Sequence, residues 1–263
     1  MNLFYTIFRC LLVNIIFVLG LNAQTITESY RFYSKAAKQG VAVDDKNVFV
    51  IDNARIVKYN YNGDSITQWK APQGSNIKHI NFGFIYNNKL YCAHSNFPKL
   101  PMVSSIEIFN KNSMKHCGSI SLGIRHGSCT WIYKKNDSWY IFFANYENKS
   151  NPNANVTMSE LVQFDDQWRE QQSWILPDSL IKRLSPNSLS SGVLINNEFY
   201  CMGHDACETY VLDIPEYAMI LKWKSTIPVP FPGQGISYNA KTKTMWGIDR
   251  KKNQVIKATF SPK

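Results

Sequence analysis

The sequence lacks the short signatures that announce several common chemistries. It has no Gly-x-Ser-x-Gly elbow, no phosphate-cradling P-loop, no dinucleotide fingerprint, no His-Glu-x-x-His and no Cys-x-x-Cys. These absences leave no motif for an α/β-hydrolase nucleophile, a nucleotide triphosphate site, a helix-borne zinc site, a dithiol redox centre or an attached haem. Charge is also sparse: only 18% of residues are Asp, Glu, Lys or Arg. The formal net charge of +10 is scattered in short groups such as Lys134-Lys135 and Arg250-Lys251-Lys252. With no basic helix and no Arg-aromatic platform, the composition points to a solvated basic surface and away from nucleic acid.

Only one long apolar run occurs, Leu11 to Leu21, after the single cation Arg9 and before the small residue Ala23. That run is too short to span a bilayer comfortably and has the layout of a secretory signal peptide. The expected organisation is a signal peptide over 1–23, cleaved after Ala23, and one domain over 24–263, secreted or periplasmic, monomeric and not transmembrane once cleaved. An uncleaved N-terminal anchor is the alternative. Cysteine fits this picture poorly as a staple: outside the leader there are five, Cys92, Cys117, Cys129, Cys201 and Cys207, an odd number in no framework spacing. Cys92 and Cys201 sit in matching apolar strands and are expected as small core residues.

What the sequence does contain is a repeat. Gln39-Gly40-Val41-Ala42-Val43-Asp44, a turn, Val48 to Asn53, and Ile56 to Tyr59 are echoed by Gln234-Gly235-Ile236-Ser237-Tyr238-Asn239, Met245 to Arg250, and Gln254 to Lys257. Each copy reads strand, tight turn, strand, acidic turn, strand. Units of about 40 to 50 residues with several strands each are the mark of a propeller blade. Three further units fit between the copies, two of them with Asn-Asn hairpin turns, Asn87-Asn88 and Asn196-Asn197, suited to positive φ, and the second of these two ends in a strand expected over Ile220 to Ser225. The last unit has only three strands, whereas Ile26 to Tyr33 is a strand with no unit of its own. Pairing the two would close the ring and remove two exposed edges. The expected fold is therefore all-β, a β-propeller of five blades closed by an N-terminal strand. A short helix is expected over Asp178 to Leu184, and six blades would require a further strand pair within Asp178 to Leu189.

In a propeller, the start of each inner strand and the end of each second strand meet on one face of the channel. The starts are Gln39, His79 with Asn81, His126 with Ser128, Ser190 with Ser191, and Gln234. The ends are Asp52, His94, Asn145, His204 with Asp205, and Asp249. Four of the five histidines fall there, all but His116. The segment Phe97 to Met102 would form a stiff apolar wall. Glu208 brings a further carboxylate near His204, and Tyr146 to Ser159 is long enough to act as a lid. Two sequons, Asn148-Lys149-Ser150 and Asn155-Val156-Thr157, lie in that last segment and matter only if the source glycosylates. A polar-floored, partly apolar-walled pocket is the default site for a small-molecule ligand or substrate. In the catalytic reading His94 or His204 moves a proton, Asp205 or Glu208 orients it, and Asn145 with Arg125 stabilises negative charge. Gln39, Asp52, His79, Asn81, His126, Ser128, Asn145, Gln234 and Asp249 would bind ligand. A divalent metal, if present, would need ligands from several blades, such as His94, Asn145, His204 and an aspartate. Against this stand plainer roles: the glutamines bonding backbone around a narrow channel, Asp52 and Asp249 capping turns. A non-catalytic scaffold binding a protein or glycan at its rim is the alternative function.

The Gln39 to Asp44 strand, Phe97-Pro98 with Leu100-Pro101-Met102 and Ser104-Ser105, Gly127-Ser128 with Thr130-Trp131, Phe143-Ala144-Asn145-Tyr146, Gly203-His204-Asp205 and Gly233-Gln234-Gly235-Ile236 together resemble a family of secreted bacterial propeller proteins loosely labelled cycloisomerase-like. The resemblance implies a propeller with lactone-related chemistry. More remotely the chain is similar to the lactonase and gluconolactonase propellers, which hold a divalent ion at the channel mouth with Glu, Asn and Asp. Asn145 and Asp249 or Asp52 would match two of those ligands, and the inner-strand glutamate has no counterpart here.

Overall fold

A computed structural model gives the fold and describes residues 24–147 and 155–261. The leader segment, Cys10 and the sequon at Asn148 lie outside the described residues. Asn155 lies within them, and its side chain caps a short 3-10 turn, Val156–Met158, by accepting from the Thr157 N–H at 2.9 Å.

Among the described residues, twenty strands build five antiparallel sheets of four. Blade 1 holds β2 (Gly40–Val43), β3 (Asn47–Asp52), β4 (Arg55–Asn60) and β5 (Ser65–Lys70). Blade 2 holds β6 (Ile80–Tyr86), β7 (Lys89–Ser95), β8 (Ser104–Asn110) and β9 (His116–Gly123). Blade 3 holds β10 (Ser128–Lys135), β11 (Ser138–Ala144), β12 (Glu160–Phe164) and β13 (Glu170–Ile175). Blade 4 holds β14 (Ser191–Ile195), β15 (Glu198–Met202), β16 (Glu208–Asp213) and β17 (Lys222–Pro228). Blade 5 is β18 (Ile236–Asn239), β19 (Thr244–Asp249) and β20 (Gln254–Ser261), with β1 (Thr25–Tyr33) as its outer strand.

The ring closes as the three-stranded last repeat requires. β1 runs antiparallel to β20 from Thr25 opposite Ser261 to Tyr33 opposite Gln254. The Asn-Asn turns hold both residues at positive φ, 45° and 60° at Asn87-Asn88 and 50° and 66° at Asn196-Asn197, the geometry that matches hairpin twist. The helix α1 (Asp178–Leu184) is present, and it buries Leu180, Ile181 and Leu184 between blades 3 and 4 instead of leading to a sixth blade. One outer strand lies later than its sequence suggests. Ile220 is not in β17 but makes a parallel bridge to Ile175, tying blade 4 to blade 3.

The core is divided among the junctions between blades. Phe49, Ile51, Cys92 and Phe109 fill the gap between blades 1 and 2. Trp131, Phe142, Phe199 and Cys201 fill that between blades 3 and 4. Tyr200, Phe231 and Phe260 join blades 4 and 5, and Val41, Val50 and Trp246 join blade 5 to blade 1. Each such large side chain contributes roughly 1.5 to 3 kcal/mol on burial. Cys92, Cys129 and Cys201 are fully buried and unpaired, as expected of small apolar residues, and Cys117 and Cys207 are exposed and also free.

Candidate functional site

The inner-strand starts do converge. A cavity of about 420 Å³ at the channel mouth is lined by Gln39, His79, Asn81, His204 and Gln234, five of the residues expected there. It also takes in Ser190, placed on this face by sequence, Tyr146 and Glu147 from the segment expected as a lid, and Thr130 and Arg250, which were not expected there. Arg250 could have been found: it follows Asp249 in the turn after β19, so it leaves the strand at the same blade height as His204.

His204 lies just beyond the end of β15. Its Nδ1 is 2.8 Å from Asp205 Oδ2, which leaves Nε2 for the pocket. Arg250 Nη2 donates to both Asp205 oxygens at 3.0 Å and lies 3.1 Å from His204 Nδ1. Burial raises the Asp205 pKa, but the His204 and Arg250 contacts outweigh it and hold the group below its ordinary value. The result is an ionised carboxylate that fixes one face of an imidazole, with a guanidinium alongside.

Gln234 is 95% buried, with φ of +69°. Non-glycine residues in that region cost free energy and collect at functional positions. Its backbone is held by three partners: Gln234 N–H donates to Gly203 O at 3.3 Å, and its carbonyl accepts from Ser190 Oγ at 3.1 Å and from Ser191 Oγ. Its side-chain Nε2 is buried and has no hydrogen-bond partner among the described residues. Three tryptophan Nε1 atoms share that condition, Trp131, Trp174 and Trp246, but none of those residues lines this cavity. An unpaired buried N–H costs about 1 to 3 kcal/mol. Of these four residues only Gln234 lines the cavity.

Two further amides of the lining are half-committed. Gln39 Nε2 donates to Asn53 Oδ1 at 2.9 Å and Asn81 Nδ2 donates to the Cys129 carbonyl at 2.7 Å. Neither side-chain oxygen accepts a hydrogen bond among the described residues. Tyr146 packs edge-on to Phe97 at 5.6 Å, and burial pushes its phenol up to about 12, so it remains a neutral hydroxyl.

His79 lies against Phe97, with ring centroids 5.1 Å apart. Burial, helped by His94, lowers its pKa from 6.5 to about 4. The imidazole is therefore neutral at neutral pH. In the unfolded chain His79 takes up its proton near 6.5, and in the folded protein only near 4. Between those values the unfolded state binds more protons, so this contribution to stability is complete above pH 6.5 and is lost as pH falls toward 4, by about 3 kcal/mol. Denaturant titrations at pH 7 and pH 4 check this: the drop should be smaller in His79→Gln than in the wild type.

Several expected residues take other places. His94 is not at the pocket. It is buried in β7, its Nδ1–H donates to Ser105 Oγ at 2.8 Å, and its Nε2 accepts the Lys78 N–H at 3.2 Å. Both nitrogens are used, and burial lowers its pKa despite nearby Glu107. The reason is register: Cys92 to His94 is two residues and Cys201 to His204 is three, so the apparently matching histidines face opposite ways. Glu208 does not reach His204; it accepts from Arg183 Nε at 3.0 Å and from Tyr210 at 3.2 Å. Asp52 accepts from the Asn53 N–H and Arg55, and Asp249 from the N–H groups of Lys251 and Lys252, so both cap turns. Ser128 is buried and donates to Ser95 Oγ at 2.9 Å.

Arg125, His126 and Asn145 border a second cavity of about 380 Å³, next to the first. Arg125 is ion-paired with Glu170 and is 70% exposed, which removes it from the His204 site. Asn145 Nδ2 is committed to the carbonyls of His126 and Met158, both at 2.9 Å. His126 sits between Glu160 at 2.7 Å and Glu170 at 3.1 Å; the Glu160 bond, against burial, and then Glu170 raise its pKa.

A divalent ion does not fit the residues expected to hold it. His94, Asn145 and His204 lie in three separate settings, both His94 nitrogens are bonded within the fold, and the two aspartates cap turns. Among the described residues no group of three or more His, Cys, Asp or Glu side chains is arranged to hold a metal.

The fold is a five-bladed β-propeller. No protein-family model and no curated protein matches the sequence. Among solved structures, the chain is similar to the glutaminyl cyclase of Myxococcus xanthus, with 7% identity over 90% of this chain and 97% of that one and a TM-score of 0.59. It is also similar to a luciferin-regenerating enzyme, with 6% identity over 91% and 96% and a TM-score of 0.51. At these identities the likeness is one of fold. No sequence family carries a cycloisomerase or lactonase label to this chain.

Proposed function

We propose that the protein is an extracytoplasmic, monomeric propeller enzyme that opens or closes a small lactone ring in the central pocket. The observation that carries this reading is that Gln234, whose buried Nε2 has no partner among the described residues, lines the same cavity as His204, which Asp205 holds at Nδ1. A carbonyl oxygen of a ligand supplies the acceptor that Gln234 lacks.

In the opening direction, water attacks the lactone carbonyl carbon while His204 Nε2 takes one of its protons. Negative charge collects on the carbonyl oxygen, where Gln234 Nε2–H and the Arg250 guanidinium stabilise it. The tetrahedral adduct collapses by breaking the ring C–O bond. The proton on His204 passes to the leaving alkoxide, and the product is a hydroxy acid. Asp205 keeps the imidazole oriented with Nδ1 toward itself, as a positioned base requires. The reverse sequence closes the ring. Gln39 and Asn81 oxygens accept from ligand hydroxyls, and neutral His79 on Phe97 forms a wall without charge. Two solved structures of similar fold, a glutaminyl cyclase and a luciferin-regenerating enzyme, support the reading only in that this scaffold hosts enzymes.

Substitution Gln234→Leu separates function from stability. Turnover of a γ-lactone panel should fall by about a hundredfold or more as the oxyanion donor is lost. Stability in denaturant should hold or rise by about 1 kcal/mol, because an unpaired buried N–H disappears. A loss of stability together with unchanged turnover would reject the assignment. Binding of lactones by wild type without any turnover would favour the non-catalytic alternative.

A further inference from the structure

We infer that the second cavity receives an apolar arm of the same ligand, so that the substrate is a lactone carrying an aliphatic side chain. This rests on the reading of the central pocket and specifies the substrate class.

The loop 97–103 is held from within by Asn96. Its N–H donates to the Val103 carbonyl at 3.0 Å, its Nδ2 donates to the Pro101 carbonyl at 3.0 Å, its carbonyl accepts from the Lys99 N–H, and its Oδ1 accepts from the Val103 N–H at 2.8 Å. The loop so fixed leaves Phe97 41% and Leu100 49% exposed, with Ile124 59% and Met158 53% exposed on the cavity's other walls. Large apolar side chains displayed together on a constrained loop gain nothing from the fold itself, and such patches mark binding sites.

Charge in this cavity is settled internally. Arg125 pairs with Glu170, and His126 lies between Glu160 and Glu170. Among the described residues that line it, no charge is left over to recognise a phosphate or an ammonium group, which suits an uncharged arm. The two cavities share Phe97 and Tyr146 as lining residues. A ligand with its carbonyl at Gln234 can therefore lay its arm over the edge of that aromatic pair. Each cavity alone is at the small end of the size range for ligand sites, and one ligand using both meets a polar floor and an apolar extension in sequence.

The test is a series of γ-alkyl lactones of increasing chain length assayed on the wild-type protein, Leu100→Trp and Ile124→Trp. Each methylene should raise kcat/KM about fourfold until the cavity is full. In the two variants, both at exposed positions, the ratio of long-arm to short-arm kcat/KM should fall toward one. A flat wild-type series, or an equal slope in all three proteins, overturns the inference. Calorimetric titration with straight-chain carboxylates of increasing length reads the arm separately from chemistry. If affinity rises with chain length and the variants abolish the rise while no lactone is turned over, the apolar subsite stands and the catalytic reading falls. If affinity does not depend on length, the subsite falls whatever the turnover.

Discussion

Gly235→Ala is expected to cost about 4 kcal/mol or more, a large part of the stability of a domain this size. A methyl group there would lie 2.2 Å from Gly40 Cα and 2.9 Å from the Gln39 carbonyl oxygen and the Val41 nitrogen. All three are backbone atoms, so no rotamer change relieves the clash. Gly40 in turn packs its bare Cα against blade 2, where a methyl would meet the Asn81 carbonyl at 2.9 Å. The inner strands of blades 5, 1 and 2 thus approach backbone to backbone around the channel, which only glycine permits at these points. Thermal unfolding checks this: a fall in Tm of roughly 8 to 16 °C is expected at 2 to 4 °C per kcal/mol for a chain of this length. Gly74→Ala is the control. Nothing lies within 4 Å of a methyl there, and its φ of +80° should cost only about 1 to 2 kcal/mol. Equal shifts in the two variants would contradict the packing account.

That prediction also explains why the fold was legible. The two Gln-Gly strands announced themselves as a repeat because both carry the same steric demand at the channel. The Asn-Asn turns were legible because asparagine tolerates positive φ, and ring closure followed from one strand too many at the start and one too few at the end. Ile220 was misassigned for a different reason: a β-branched residue beside a strand carries no mark of whether it joins the ladder or bridges to the next blade.

His204→Ala should lower turnover by about a hundred- to ten-thousand-fold, the range for losing a positioned acid-base group, while leaving the fold intact. Its side chain is 30% exposed and bonds only to Asp205 and Arg250, which remain paired with each other without it. His94→Ala should do the reverse. Removing that buried ring leaves a void in the packing around β7 and Ser105 Oγ without its His94 partner, a cost of about 1 to 3 kcal/mol, with kcat within a few-fold of wild type. Steady-state kinetics beside denaturant melts on the two variants give a crossed pattern. Unchanged turnover in His204→Ala would exclude His204 as the proton carrier.

The contrast between these histidines marks where sequence reading stops. Blade height is visible in the sequence, so Gln39, His79, Asn81, His204 and Gln234 could be placed together. Side-chain direction depends on strand register, and the one extra residue, Gly203, that turns His204 toward the channel is absent before His94. Partner choice is less visible still. Arg125 and Glu208 sit on the expected face but are claimed by Glu170 and Arg183, residues distant in sequence, whereas Arg250 reaches the site from a turn that reads as ordinary.

Gln234 and His204 are proposed to act on one ligand carbonyl from two sides, Gln234 on its oxygen and His204 on the water that attacks its carbon. Isothermal titration of a ring-opened γ-hydroxy acid into the wild-type protein and into Gln234→Leu tests it most directly. Saturable 1:1 binding to wild type, weakened at least tenfold in Gln234→Leu with its melting temperature held or raised, is the predicted result. Equal affinity in both proteins would contradict it.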